Sequence, residues 1–184
     1  QKALEMKADD PKPLLYISEA YKELGDEDKA LEYNQQYMDK NPNAAPTDFM
    51  KLAEIYVNKA KKDPAKKIEN IDKAIGVYAK LAEKYPTLKP FAKLQEGNTA
   101  FQNELDDKAI AAYTEVINEL EAKQCDEDEL SYLKTSYQYM GFIYTYDKQD
   151  FNTAKPYWDK LLKLDPQNKL ANDAYEKAGL KPGE

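Results

Sequence analysis

Four times along this chain, a run of apolar residues at helical spacing is followed by a polar turn and a second such run. The clearest instance is YQYMGFIYTYDKQDFNTAKPYWDKLLKLDP, residues 137–166. Tyr137, Met140, Gly141 and Tyr144 fall at i, i+3, i+4 and i+7, which places them on one face of a helix. After DKQD, a second helix carries Ala154, Trp158, Leu161 and Leu162. Asp165-Pro166 ends it, because proline cannot continue a helix interior. Pro156 restricts where that second helix begins. It must start near Asn152, keeping the proline in the first turn, or that turn must bend.

The design recurs upstream. Leu14, Ile17, Ser18 and Tyr21 face one way, Gly25 marks a turn, and Ala30, Tyr37 and Pro42 follow. Phe49, Leu52, Ala53 and Tyr56 open the next unit. Its second helix carries Ile68, Ile71, Ala74, Ile75, Tyr78, Leu81 and Ala82 and stops at Pro86. The third unit supplies Gly97, Ala100 and Phe101, then Ala109, Tyr113, Val116 and Leu120; an alternative register puts Leu94 and Phe101 in its core. Helix pairs that cannot hide their apolar faces alone must stack on one another, which predicts an all-α fold.

Charge and residue types close off several kinds of chemistry. The net charge is −7, and no block of lysines stands apart from interleaved acids. A phosphate-binding surface needs a basic stripe, so neither nucleic acid nor an anionic membrane surface is expected as a partner. No run approaches the ~18 apolar residues of a membrane span, so no membrane insertion is expected. All 27 basic residues are lysine, and there is no histidine. The usual general base near neutral pH is therefore missing, as are the commonest zinc ligand and the bidentate guanidinium fork. Cys125 is the single cysteine, so no disulfide can form within the chain, and it reads as an incidental thiol at the head of a helix. Four consecutive carboxylates in DEDE (126–129) do not match the alternating ligand loop that calcium uses; they are expected to open a helix, where the dipole favours negative charge. KKDPAKK (61–67) reads as a solvated loop and helix start. No catalytic residue, metal site or cofactor is expected. The opening QKALEMKADDP lacks both an initiator methionine and the basic-then-apolar order of a secretory signal. The chain reads as trimmed or processed, and its compartment is left open.

Helix pairs of this kind resemble the tetratricopeptide repeat family, whose ~34-residue pattern is W-x2-L-G-x2-Y…A-x3-F…P. In the last unit Tyr137 stands in the tryptophan place and Met140-Gly141 in the leucine-glycine place, followed by Tyr144, Ala154, Trp158 and Pro166. The resemblance covers nearly the whole chain. It implies one domain over 1–184, a right-handed superhelical solenoid of antiparallel helix pairs. The end of a preceding repeat falls at 1–10, repeats at about 12–43, 46–87, 89–121 and 127–166, and a capping helix at 167–179. The aligned alanines Ala30, Ala74, Ala109 and Ala154 are 44, 35 and 45 residues apart, so two repeats exceed the family length by about ten residues. VNKAKKDPAKKIEN and EAKQCDEDELSYL hold the excess and are read as lengthened helices, with the first turning at Asp63-Pro64. Pro11 also sits closer to the first helix than the family spacing allows.

By the same resemblance the chain is expected to be a non-enzymatic protein–protein interaction scaffold. It would hold a peptide or a partner's helix in a concave groove lined by first helices. The groove positions lie one step off the core stripe. They are Leu15, Glu19 and Lys22; Met50, Glu54, Val57 and Asn58; Asn98; and Gln138, Phe142 and Tyr146. Asn98 is in the place of an asparagine that holds a ligand's backbone. Phe142 and Tyr146 either contact the ligand or pack on the next helix or the cap. The subtype that clamps acidic chaperone tails uses lysine, asparagine and arginine where this chain has Leu15 and Glu19. An apolar or basic peptide is expected instead. The alternative is a structural spacer or self-association segment of a larger repeat array, acting as a homo-oligomer.

Overall fold

The computed structural model describes residues 10–183, and every regular element among them is helical. The half-repeat expected at 1–10 lies outside the described residues, save Asp10. The helices are α1 (Lys12–Glu23), α2 (Glu27–Lys40), α3 (Pro46–Lys62), α4 (Lys67–Lys84), α5 (Lys89–Phe101), α6 (Asp106–Leu120), α7 (Glu127–Phe142), α8 (Phe151–Leu164) and α9 (Lys169–Lys177).

Prolines and short polar side chains set the helix starts. Pro13, Pro46 and Pro90 occupy the first or second position of α1, α3 and α5, where a backbone N–H has no helical partner to lose. Asp26, Asp150 and Asn168 each accept the N–H three residues on, at 3.1 Å. At α7 the Asp126 carboxylate accepts the Glu129 N–H at 2.9 Å while Glu129 accepts the Asp126 N–H at 3.3 Å. The DEDE run therefore opens a helix through a reciprocal cap. The lengthening expected in the second pair is present: α3 has 17 residues and α4 has 18, against 12 in α1. Asp63 caps the turn between them by accepting the Ala65 N–H at 3.1 Å.

The chain divides into two compact units, one ending at Tyr85 and the other beginning at Pro86. In the first, α1 packs on α2, α2 on α3 and α3 on α4. Ala30, Ala53, Ile71, Ala74 and Leu81 are fully enclosed. The Ser18 hydroxyl donates to the Ala30 carbonyl at 2.7 Å, tying α1 to α2 where the two backbones approach. Two expectations fail here. Leu15, placed on the groove, is buried with Leu14 and Tyr37 and packs against Tyr33 and Met38. Ile68, placed in the core, is 51% exposed, because the buried stripe of α4 begins only at Asn70 and Ile71 and its first turn follows the exposed Pro64–Lys66 turn.

The Tyr37 hydroxyl donates to Asp48 at 2.7 Å, and Asp48 also accepts the Ala45 N–H at 2.8 Å, so one carboxylate joins α2 to the start of α3. Burial, then the bond to Asp48, pushes the Tyr37 hydroxyl up to about 12. An unfolded tyrosine ionises near 10. Tyr37 therefore contributes its full stabilisation below about pH 10, and loses it as pH rises from there towards 12. Urea unfolding of Tyr37→Phe against the parent should give a stability difference that shrinks across this window.

In the second unit α5 packs on α6, α6 on α7, α7 on α8, and α9 on both α7 and α8. Two glycines let rings lie directly on the helix backbone. A Cβ at Gly97 would stand 2.6 Å from the Tyr113 ring, and one at Gly141 would stand 2.5 Å from the Trp158 ring. Both rings are fully enclosed. The Trp158 indole N–H donates to the Thr145 hydroxyl at 2.9 Å.

Beyond Phe142 the helix widens into a π-helical turn, Ile143–Asp147. That turn corrects the assignment of Tyr144 to the core. Each π turn takes in an extra residue, so the inward direction falls on the fully enclosed Ile143, while Tyr144 is half-buried and stacks on Tyr157 at 6.1 Å. The second helix does start next to Asn152, but Pro156 does not fall in its first turn. Helix α8 starts at Phe151 and passes through Pro156 in its second turn. The lost hydrogen bond is the one to the Asn152 carbonyl, and both residues lie on the exposed face.

Candidate interaction surface

In the first unit, the outward face of α1 and α3 is charged. Lys22 pairs with Glu54 at 3.0 Å, and Lys51 pairs with Glu19 at 2.5 Å. Three residues expected to meet a ligand (Glu19, Lys22 and Glu54) are thus joined across the two helices, together with Lys51. The hydrogen bond to Glu19 raises the Lys51 ammonium above its ordinary value and keeps it charged. Met50 is 38% exposed, and Val57 and Asn58 are half-buried. Exposed pairs of this kind are worth about 0–1 kcal/mol each, so an incoming chain could displace them.

In the second unit the corresponding face, between α5 and α7, is aromatic. Phe91 meets Tyr132 at 6.0 Å between ring centres. Further along, Phe101 lies 4.7 Å from Tyr139 and 5.6 Å from Phe142, and Phe142 lies 4.8 Å from Tyr146. Tyr139 also stacks on Tyr113 at 5.4 Å. All of these except Tyr113 are half-buried. Phe101, read as core, belongs to this row instead.

The Tyr113 hydroxyl donates to the Asn98 side-chain oxygen at 2.9 Å, joining α6 to α5. Gln138 accepts from Asn168 at 3.3 Å, so it bridges α7 to the start of α9. Tyr146 sits in the π turn with the Lys177 ammonium 4.6 Å above its ring. The structure thus gathers Asn98, Phe142 and Tyr146 around Tyr113, Phe101 and Tyr139. Tyr139 was legible: Tyr132, Tyr139, Phe142 and Tyr146 fall at i, i+7, i+10 and i+14, a helical stripe beside the core one.

The Cys125 thiol donates to the Leu120 carbonyl at 3.3 Å. Burial, then the neighbouring Glu129, pushes its ionisation up, which favours the unreactive thiol. Among the described residues no three histidine, cysteine, aspartate or glutamate side chains gather in a way that could hold a metal ion.

The model of the tetratricopeptide repeat family matches residues 14–44 and 49–87, which are the α1–α2 and α3–α4 pairs. Those two helix pairs match the tetratricopeptide repeat. No curated protein matches it. Among solved structures it is similar to TTC0263, a thermophilic TPR protein of Thermus thermophilus. The two are 21% identical, the match covers 96% of this chain and 85% of the other, and the TM-score is 0.54. At that identity the likeness shows the fold alone. The C-terminal part of a TPR repeat-containing protein from Cytophaga hutchinsonii is 18% identical over 94% of this chain and 91% of that one, with a TM-score of 0.35. In the matched tetratricopeptide repeats, Ala30 and Ala74 are fully enclosed residues of the two second helices. No helix among the described residues is long and apolar enough to cross a membrane.

Proposed function

We propose that this tetratricopeptide-repeat chain is a non-enzymatic scaffold that holds an apolar or basic segment of a partner protein. Tetratricopeptide repeats are generally protein–protein interaction modules. The observation that carries the finer reading is the row of half-exposed rings from Phe101 through Tyr139 and Phe142 to Tyr146. Rings in this state offer large apolar area at low entropic cost, which is what interface anchors need. Their faces also attract cations, and Tyr146 already accepts one from Lys177. The net charge of −7 adds a long-range field that draws basic segments. In the second unit the amide of Asn98 supports the bound backbone and Gln138 adds a polar contact; in the first unit Met50, Glu54 and Asn58 offer a separate contact face.

Capture from the native source followed by mass spectrometry would supply candidate partners. For a partner so identified, Phe142→Ala and Tyr146→Ala should each weaken binding by about tenfold or more, with far-UV circular dichroism unchanged. Undiminished binding by both variants would remove the aromatic row from the interface.

A further inference from the structure

Between α2 and α4, each of which packs on α3, lies a slot of about 250 Å³. Its apolar lining is Met38, Phe49, Leu52 and Val77, and its rim carries Lys80 and Lys84. These lysines are one helical turn apart, so their ammonium groups rise on the same face of α4. Lys84 is held in place: it donates to the Pro42 carbonyl at 2.7 Å and stands 5.5 Å over the Phe49 ring. Among the described residues, neither ammonium has a carboxylate within ion-pair distance, and no carboxylate lines the slot. Elsewhere in the same unit Lys22, Lys51, Lys59 and Lys62 each pair with a carboxylate, whereas Lys84 meets the Pro42 carbonyl and the Phe49 ring.

We infer that this slot is a second binding site, distinct from the first-helix face, and that its ligand is an acidic peptide segment. One apolar side chain of leucine or phenylalanine size enters between Met38 and Val77, and flanking carboxylates meet Lys80 and Lys84. Size and charge both select this occupant. Whole small molecules generally need pockets of about 300–1,000 Å³, so a slot of 250 Å³ fits a side chain. The Lys84 ammonium held by the Pro42 carbonyl and the exposed Lys80 one turn away, with no carboxylate in the lining, favour an anion beside that side chain and disfavour a cation. The site therefore has the opposite charge preference from the aromatic row of the second unit.

The test uses the full chain, labelled with ¹⁵N, and two blocked peptides. One is Glu-Asp-Phe-Leu-Asp-Glu, and the other has lysine at the four acidic places. The acidic peptide should shift the amide signals of Met38, Val77, Lys80 and Lys84, and the basic one should not. Lys80→Glu with Lys84→Glu should weaken the acidic peptide by about tenfold or more. Lys80→Glu alone, at an exposed position with no partner to lose, should weaken it less while leaving the melting temperature unchanged. Met38→Trp, which fills the mouth of the slot, should also reduce binding. The inference is overturned if the acidic peptide gives no shifts at millimolar concentration, or if the basic peptide shifts the same signals. It is equally overturned if the lysine variants bind unchanged. Shifts confined to Phe101, Tyr139 and Phe142 would also overturn it, by placing the peptide on the aromatic row.

Discussion

Trp158→Ala should lower the stability of the second unit by about 3–5 kcal/mol, the range for deleting a fully buried aromatic side chain. The ring is completely enclosed, lies flat on the α7 backbone at Gly141, and donates its N–H to Thr145. Alanine would leave a void between α7 and α8 and strip the Thr145 hydroxyl of its donor at the π turn. Because α9 packs on both of those helices, its docking should loosen as well. Denaturant melts followed by circular dichroism would read the loss, and hydrogen exchange would localise it to α7–α9. A midpoint equal to that of the parent would mean that the indole does not hold the pair together.

Gly141→Ala should act in the same place from the other side. Replacing glycine by alanine within a helix ordinarily stabilises by about 0.5–1 kcal/mol. Here the added Cβ would stand 2.5 Å from a ring that its surroundings and its hydrogen bond to Thr145 hold in place. Overpacking of this kind costs about 1–3 kcal/mol, so the net effect should be destabilising. Gly76 is the internal control, since a Cβ there meets nothing within 4 Å. Gly76→Ala on α4 should raise the melting temperature. Both substitutions moving stability the same way would show that ring contact, rather than helix propensity, had been misjudged at Gly141.

The helix pairs were readable because α4, α6 and α8 each carry an alanine with an aromatic four residues on (Ala74 and Tyr78, Ala109 and Tyr113, Ala154 and Trp158), and because Asp63-Pro64 and DEDE are local signals that act through nearby backbone N–H groups. Helical period gives the direction of a side chain within its own helix, but it says nothing about what stands opposite. Leu15 points as the pattern requires, yet Tyr33 and Met38 of α2 cover it. Glu19 and Lys51 are 32 residues apart, as are Lys22 and Glu54. No local rule links such positions, so the charged face of the first unit was invisible until the helices were placed. The π turn was illegible for another reason. IYTYD carries no glycine or proline to mark a break, and its Thr145 accepts the indole N–H of Trp158 from the next helix. The extra residue of that turn shifted Tyr144 off the core and set the place of Tyr146 at the end of the aromatic row.

The ion pairs joining α1 to α3 are made by lysine, a compact charge without the interlocking fork of arginine. At 1 M salt the screening distance falls to about 3 Å, so these pairs weaken, whereas stacked rings are slightly strengthened as water is made a poorer solvent for them. Raising the concentration of a salt excluded from protein surfaces, such as sulfate, should therefore make the α1–α3 face pliant while it stiffens the α5–α7 face. Concentrated sulfate and dilute buffer would then present a partner with two differently yielding versions of the same molecule.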